Sequence, residues 1–203
     1  MMFTLFLLVI IFIIVAMMWN EGMWSNAISF CNCIFAAMIA TNYYEPLAGW
    51  LEEKVPSYTY FCDFLAIWLL FWLAASVLRA ITDWISVHQV RFRLPVEMVG
   101  KGFFAVATAW VFVCFTCMTI HMAPLARTPF GGGFQQEPLS NHLLGLAPDR
   151  MWLAFMHTRS KGALAQSQPV PFDPDGEFVL KYGSRRHELE KLQEAKGTSR
   201  VAP

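Results

Sequence analysis

The N-terminal run MMFTLFLLVIIFIIVAMMWN, Met1 to Asn20, contains no charged side chain. A helix that crosses about 30 Å of hydrocarbon at about 1.5 Å per residue needs roughly 20 mainly apolar residues. This run meets that length, and three more uncharged stretches follow it: Gly22 to Tyr44, Phe64 to Leu78 and Gly102 to Ala126. The third is the shortest. Tyr58 to Phe61 extend it on one side, and Arg79 can reach the interface with its guanidinium on the other. A core packed in water needs water-facing stripes on its helices, and Leu5 to Met18 and Ala27 to Ala40 offer almost none. The expected fold is therefore an all-α membrane protein. Four transmembrane helices, at about residues 2–19, 23–43, 59–79 and 97–122, form a membrane domain of residues 1–122. A mostly polar C-terminal tail of residues 123–203, partly helical and partly flexible, follows.

Charge is distributed unevenly along the 203 residues. Lys and Arg number 15, as do Asp and Glu, so the total is neutral. Only Lys54, Arg79, Arg91, Arg93 and Lys101 precede Ala123; the tail holds the other basic residues. Basic residues in short loops are retained on the cytoplasmic side of a membrane. The connection from Arg79 to Lys101 carries four of them, against Lys54 alone between the second and third spans. That connection is expected in the cytoplasm, which puts the tight Asn20-Glu21-Gly22 hairpin on the same side and both termini outside. The first run has no Lys or Arg and ends in Met17-Met18-Trp19, so it is expected to stay attached rather than be cleaved as a leader.

Helices in lipid gain by close backbone approach, which small residues permit. Ser29, Cys33 and Ala37 recur every four residues in the second span, and Gly102, Ala105 and Ala109 mark a similar stripe on the fourth. These six residues are the expected helix-packing seams. Asn26 and Asn32 are expected to hydrogen-bond between helices. In the second connection Pro46 to Leu51 suggest a short interfacial helix. In the tail, Asp149 is expected to cap a helix through Met151, Trp152, Phe155 and Met156. The Asp173-Pro174-Asp175-Gly176 turn leads into Phe178 to Leu180, read as extended. Ser184 would cap a last polar helix, Arg185 to Lys196, with Gly197 to Pro203 disordered.

Chemistry is sparse. Glu97 and Lys101 lie one helical turn apart and are expected to form an interfacial ion pair at the cytoplasmic end of the fourth span. Asp63 is expected in the outer headgroup zone. The cysteines, Cys31, Cys33, Cys62, Cys114 and Cys117, lie in or beside spans, where they pack as small apolar residues. No disulfide, metal, cofactor or catalytic residue is assigned: no ligand-like His or Cys spacing, nucleophile elbow or phosphate-binding loop occurs. Asp173-x-Asp175-Gly176 has the beginning of a calcium loop but not its later ligands. Arg185-Arg186 is the only basic doublet, too small a patch for nucleic acid.

The order of these pieces resembles the CvpA family, the colicin V production proteins. The matching stretches are Asn20 to Trp24, Ala40 to Ala48 with its aromatic-Pro-Leu-Ala motif, Ala75 to Arg79, and Leu94 to Gly102, over about 120 residues. Thr4 stands where the family usually has Asp, the first hairpin lacks the common basic residue, and Ala105 to Ala109 replace glycines. The resemblance implies a bacterial inner-membrane protein associated with toxin production and envelope maintenance, with no assigned reaction. The expected role is that of a non-enzymatic scaffold or assembly factor whose partners are the bilayer and other membrane proteins or further copies of itself. The alternative is a subunit of an oligomeric channel or transporter, with Glu97, Lys101 and the two asparagines lining the path.

Overall fold

The computed structural model describes residues 2–86, 90, 92–125, 130, 134, 141, 143, 145–161 and 172–199. Six α-helices occur among them: α1 (Met2–Met18), α2 (Met23–Lys54), α3 (Thr59–Ile85), α4 (Leu94–Met122), α5 (Pro148–Ser160) and α6 (Phe178–Ser199), with a short 3-10 turn, Pro56–Tyr58, before α3. No strand is found among the described residues; Leu143 and Leu146 form an isolated bridge. Three helices, α2, α3 and α4, are long and apolar enough to cross a membrane. At 17 residues α1 is shorter, reaching about 25 Å at the helical rise.

The boundaries follow local chemistry. Pro95 lies in the first turn of α4, where its missing N–H leaves no helix bond unmade. Pro46, by contrast, is inside α2. The expected interfacial helix around it is a continuation of α2 to Lys54, which tolerates one lost backbone bond there. The tail departs further from expectation. Phe178 to Leu180 open α6 rather than run extended, and Ser184 lies within that helix, bonding back to the Lys181 carbonyl. The cap is the expected turn itself. Asp173 adopts a positive φ of 48° and its carboxylate accepts the backbone N–H groups of Glu177 and Phe178. Gly197 also belongs to α6, which reaches Ser199; residues 200–203 and the glycines at 131–133 lie outside the described residues.

The chain reverses at each of its first three connections. At one end, here the hairpin end, the Asn26 amide donates to the carbonyls of Met18 and Lys101, Asn32 donates to Thr82, and Arg79 donates to Ser29. At the other, the tail end, the first residues of α1 meet the exit from α4: Phe3 packs on Phe134, and Phe134 on His121. Helix α2 packs most extensively on α3, and α4 closes a three-helix core on them; α1 lies along α4. Ala36, Ala37 and Ala40 of α2 meet Ala66, Ile67 and Phe71 of α3 and Phe115 and Met118 of α4. The same cluster continues into the tail through Trp152, Met156, Phe178 and Tyr182. Outward-facing side chains stay apolar, including Phe12 on α1, Trp72 and Leu73 on α3, and Phe103 on α4.

The Met23 side chain lies against α4 at Gly100. A Cβ on Gly100 would overlap the Met23 sulfur and come within 2.7 Å of its Cγ, whereas one on Gly102 would meet nothing within 4 Å. The tight glycine of this helix is thus Gly100, not the Gly102 of the expected stripe. Gly100→Val is expected to cost about 1–3 kcal/mol, the usual penalty of overpacking. Gly102→Ala should leave stability unchanged or slightly raised by helix propensity. Thermal unfolding of both variants in detergent checks the contrast; equal effects would mean the Met23 contact does not constrain α4.

Candidate functional site

The buried carboxylates and the buried arginine gather at the tail end, where α5 and α6 rest on the bundle. Asp63 lies in the second turn of α3, facing α6 rather than an open headgroup zone, and is 9% exposed. Its carboxylate accepts the Tyr182 hydroxyl at 3.2 Å and the Arg185 guanidinium. Tyr182 and Arg185 are three residues apart on α6, so both project from one face of that helix. Arg185 also donates to Glu52 at 3.2 Å and to the Thr59 carbonyl at 2.8 Å, and it lies over the Tyr60 ring. The hydroxyls of Tyr44 and Tyr182 stand 3.2 Å apart. Burial alone would lower the Arg185 pKa, but the Asp63 carboxylate, followed by Tyr182 and then Glu52, holds it above its ordinary value. Burial, then Tyr44 and Asp63, push the Tyr182 phenol up.

A second group joins α5 to α4. His121, in the last turn of α4, and Asp149, in the first turn of α5, are both buried, with Nε2 and Oδ2 2.9 Å apart. Asp149 therefore spends its carboxylate on α4 instead of capping its own helix. One turn along, the Trp152 indole N–H donates to Thr41 Oγ1 at 3.1 Å, and that hydroxyl donates to the Ala37 carbonyl. Arg186 donates to the His121 backbone carbonyl at 2.5 Å. Each of these bonds runs between helices or stabilises a group that does. These bonds tie α5 and α6 to the bundle, although they leave Arg186 Nε and Nη1 buried without a hydrogen-bond partner among the described residues.

The expected site residues divide between the two ends. Ala37, Ala105 and Ala109 are fully buried, Cys33 packs at the edge of the core, and Ser29 accepts the bond from Arg79. Gly102 is half-exposed. Glu97 and Lys101 both turn to the α1–α2 junction. The Glu97 carboxylate accepts the backbone N–H of Met23 at 2.8 Å and of Phe92 at 3.1 Å, while the Lys101 ammonium donates to the Trp19 carbonyl and lies over the Trp19 ring. The Asp173 carboxylate is engaged in the α6 cap. Asp63, His121, Asp149, Arg185 and Arg186 are the residues that sequence reasoning did not bring together. Tyr182 and Arg185 at helical spacing were the one available signal, and it carried no address.

The family model for colicin V production protein matches residues 3–143. The chain belongs to the colicin V production protein family. No curated protein and no solved structure matches it. The colicin V production match covers α1 to α4 and stops before α5, which begins at Pro148. The junction therefore extends across the end of the match. Thr41, Tyr44, Asp63 and His121 lie inside the matched colicin V production region, and their partners Trp152, Tyr182, Arg185 and Asp149 lie beyond it.

Proposed function

We propose that this chain is a bacterial inner-membrane protein in which α1 to α4 all cross the bilayer, and that it serves toxin production, export and envelope maintenance as a non-catalytic scaffold or assembly factor. The observation that carries this reading is the contrast between its surfaces. Buried ionic and aromatic bonds tie α5 and α6 to one end, while α1 and the Phe61 to Leu73 part of α3 present apolar flanks. Flanks of this kind suit lipid and other spanning helices, either of a partner protein or of a second copy. Arg79, Arg93 and Lys101 belong to the hairpin end, which supports a cytoplasmic position for it and an external position for both termini.

Photo-crosslinkers placed at Phe12 and at Trp72, followed by pull-down from native membranes, test the scaffold. A reproducible crosslinked protein, or a dimer of this chain, is the expected product; recovery of the monomer alone from both positions would end the proposal. In the same membranes, Ser184→Cys should react with an impermeant thiol reagent from outside and Ser86→Cys only from the cytoplasm. The reverse pattern would invert the orientation.

A channel or transporter subunit is the second reading. Asn26 favours it, since its Oδ1 is buried with no hydrogen-bond partner among the described residues, close to the Met18 and Lys101 carbonyls. Ion flux in proteoliposomes that is lost in Glu97→Ala would select this reading, and silence across several ions would remove it.

A further inference from the structure

Two neighbouring arginines on α6 meet the bundle in opposite ways. Arg185 has its charge met by Asp63 and Glu52. Arg186 is 5% exposed and donates from Nη2 to the His121 carbonyl. Its Nε and Nη1 are sealed from solvent and have no hydrogen-bond partner among the described residues. A guanidinium carries five N–H donors and keeps its charge at neutral pH. Withdrawn from water, it requires both hydrogen-bond acceptors and negative charge. The His121 carbonyl supplies one acceptor and no net charge. Glu190, one turn further along α6, acts on Arg186 through space, but burial outweighs that help and pushes the Arg186 pKa down to about 10. A folded pKa below the ordinary value means that the charged form opposes docking. The opposition is full below about pH 10, neutral pH included, and fades only as pH rises from there toward the ordinary value.

The helix that carries this residue is held unevenly. Helix α5 packs broadly along α4, whereas α6 comes close to the spans chiefly at α4 and over a short stretch. It reaches α2 and α3 through the side chains of Lys181, Tyr182 and Arg185. Phe178, Val179 and Tyr182 seat its first turns in the apolar cluster. Gly183 follows them, and a Cβ there would meet nothing within 4 Å. No neighbour requires a glycine at that point, and inside a helix it weakens the turn relative to alanine.

We propose that α6 is a strap hinged at Gly183, which Arg185 holds shut and the buried, unsatisfied Arg186 works to open. Opening swings the helix from Ser184 onward away from α4, while Phe178 to Tyr182 stay seated. The open strap returns Arg186 to water and frees the Asp63 and Glu52 carboxylates from Arg185 at the tail end of the bundle. Closure is set by the balance of two adjacent side chains, independently of whatever the bundle does in the membrane.

The test is amide hydrogen exchange of the full chain in a neutral detergent, read by mass spectrometry. Residues 184–192 of α6 should exchange through a local opening, with less protection than residues 151–157 of α5. Arg186→Met removes the charge and two unsatisfied donors at the loss of one bond. Protection of 184–192 should therefore rise by roughly 10–100-fold, with that of 151–157 unchanged. An arginine that merely helped to hold the helix would give the opposite sign. Unchanged or lower protection of 184–192 in Arg186→Met overturns the strap, and so does wild-type protection of 184–192 equal to that of 151–157. Gly183→Ala leaves both arginines in place and keeps the proposal testable should Arg186→Met fail to fold. It should raise the protection of 184–192 by about 3–5-fold, and an unchanged value overturns the hinge.

Discussion

Trp152→Ala is expected to unseat α5 and to lower stability by about 3–5 kcal/mol, the range for removing a buried aromatic from a packed core. Trp152 is 3% exposed, sits edge-on to Phe115 at 5.9 Å between ring centres, and belongs to an apolar cluster shared by bundle and tail. Truncation also strands Thr41, which loses the donor to its hydroxyl oxygen. Trp152→Phe separates the two contributions. It keeps an aromatic ring and forfeits the hydrogen bond, so a loss of about 1 kcal/mol is expected. Limited trypsin digestion in detergent reports the outcome, because Arg150, Arg159 and Lys161 flank the residue. Cleavage there should become rapid in the alanine variant and stay slow in the phenylalanine one. Unchanged protection in Trp152→Ala would show that the polar bonds alone retain the tail.

Removal of Asp63 attacks the same docking from its ionic side. Asp63→Ala leaves Arg185 with Glu52 and a carbonyl, but without the carboxylate it meets most closely. Breaking one side of a buried pair typically costs about 3–5 kcal/mol. Arg185 retains 24% side-chain exposure and Asp63 13%, so solvent offsets part of this and about 3 kcal/mol is the expected loss. The released segment should be cut at Lys181, Arg185 and Arg186. The double variant Asp63→Leu with Arg185→Met removes both charges and supplies apolar bulk, and it should recover most of the stability. Failure of the double variant to recover would mean that Tyr182, whose hydroxyl also loses its acceptor, contributes more than the ion pair.

The parts of this fold that were legible in the sequence are those that lipid selects. Hydropathy located α2, α3 and α4 because each must present apolar side chains for tens of ångströms, and the short Asn20 to Gly22 turn marked the break between α1 and α2, but not that α1 would lie along α4. Asp173 to Gly176 was recognisable as a turn because short polar side chains and glycine tolerate its positive φ. The docking of the tail was hidden for a different reason. Asp63 and Arg185 are 122 residues apart, and His121 and Asp149 are 28 apart. A single polar residue with a distant partner leaves no period in the sequence, and Asp63 was read as lying in the headgroup zone. Asp149 misled in a further way, since an acidic residue at a helix start satisfies a capping pattern whether or not its side chain turns elsewhere. Gly100 and Gly102 illustrate the same limit inside a span. Both are small, and only the position of Met23 decides which of them is crowded.

The placement of α1 against α4 has a consequence for the order in which the protein is made. Helix α1 leaves the ribosome first, yet the helix it lies along is the last of the four to be completed, at Met122. At about 5–20 residues per second, synthesis of the intervening chain takes on the order of 5–20 s. Throughout that interval α1 lacks the surface of α4 that it lies along. The residues that finally bury Phe3 and Leu7, among them Val113, Cys117 and Ile120, do not yet exist. The uniform greasiness of Phe3 to Met18, uninterrupted by any charge, is what a helix requires when it must wait alone for its partner to be born.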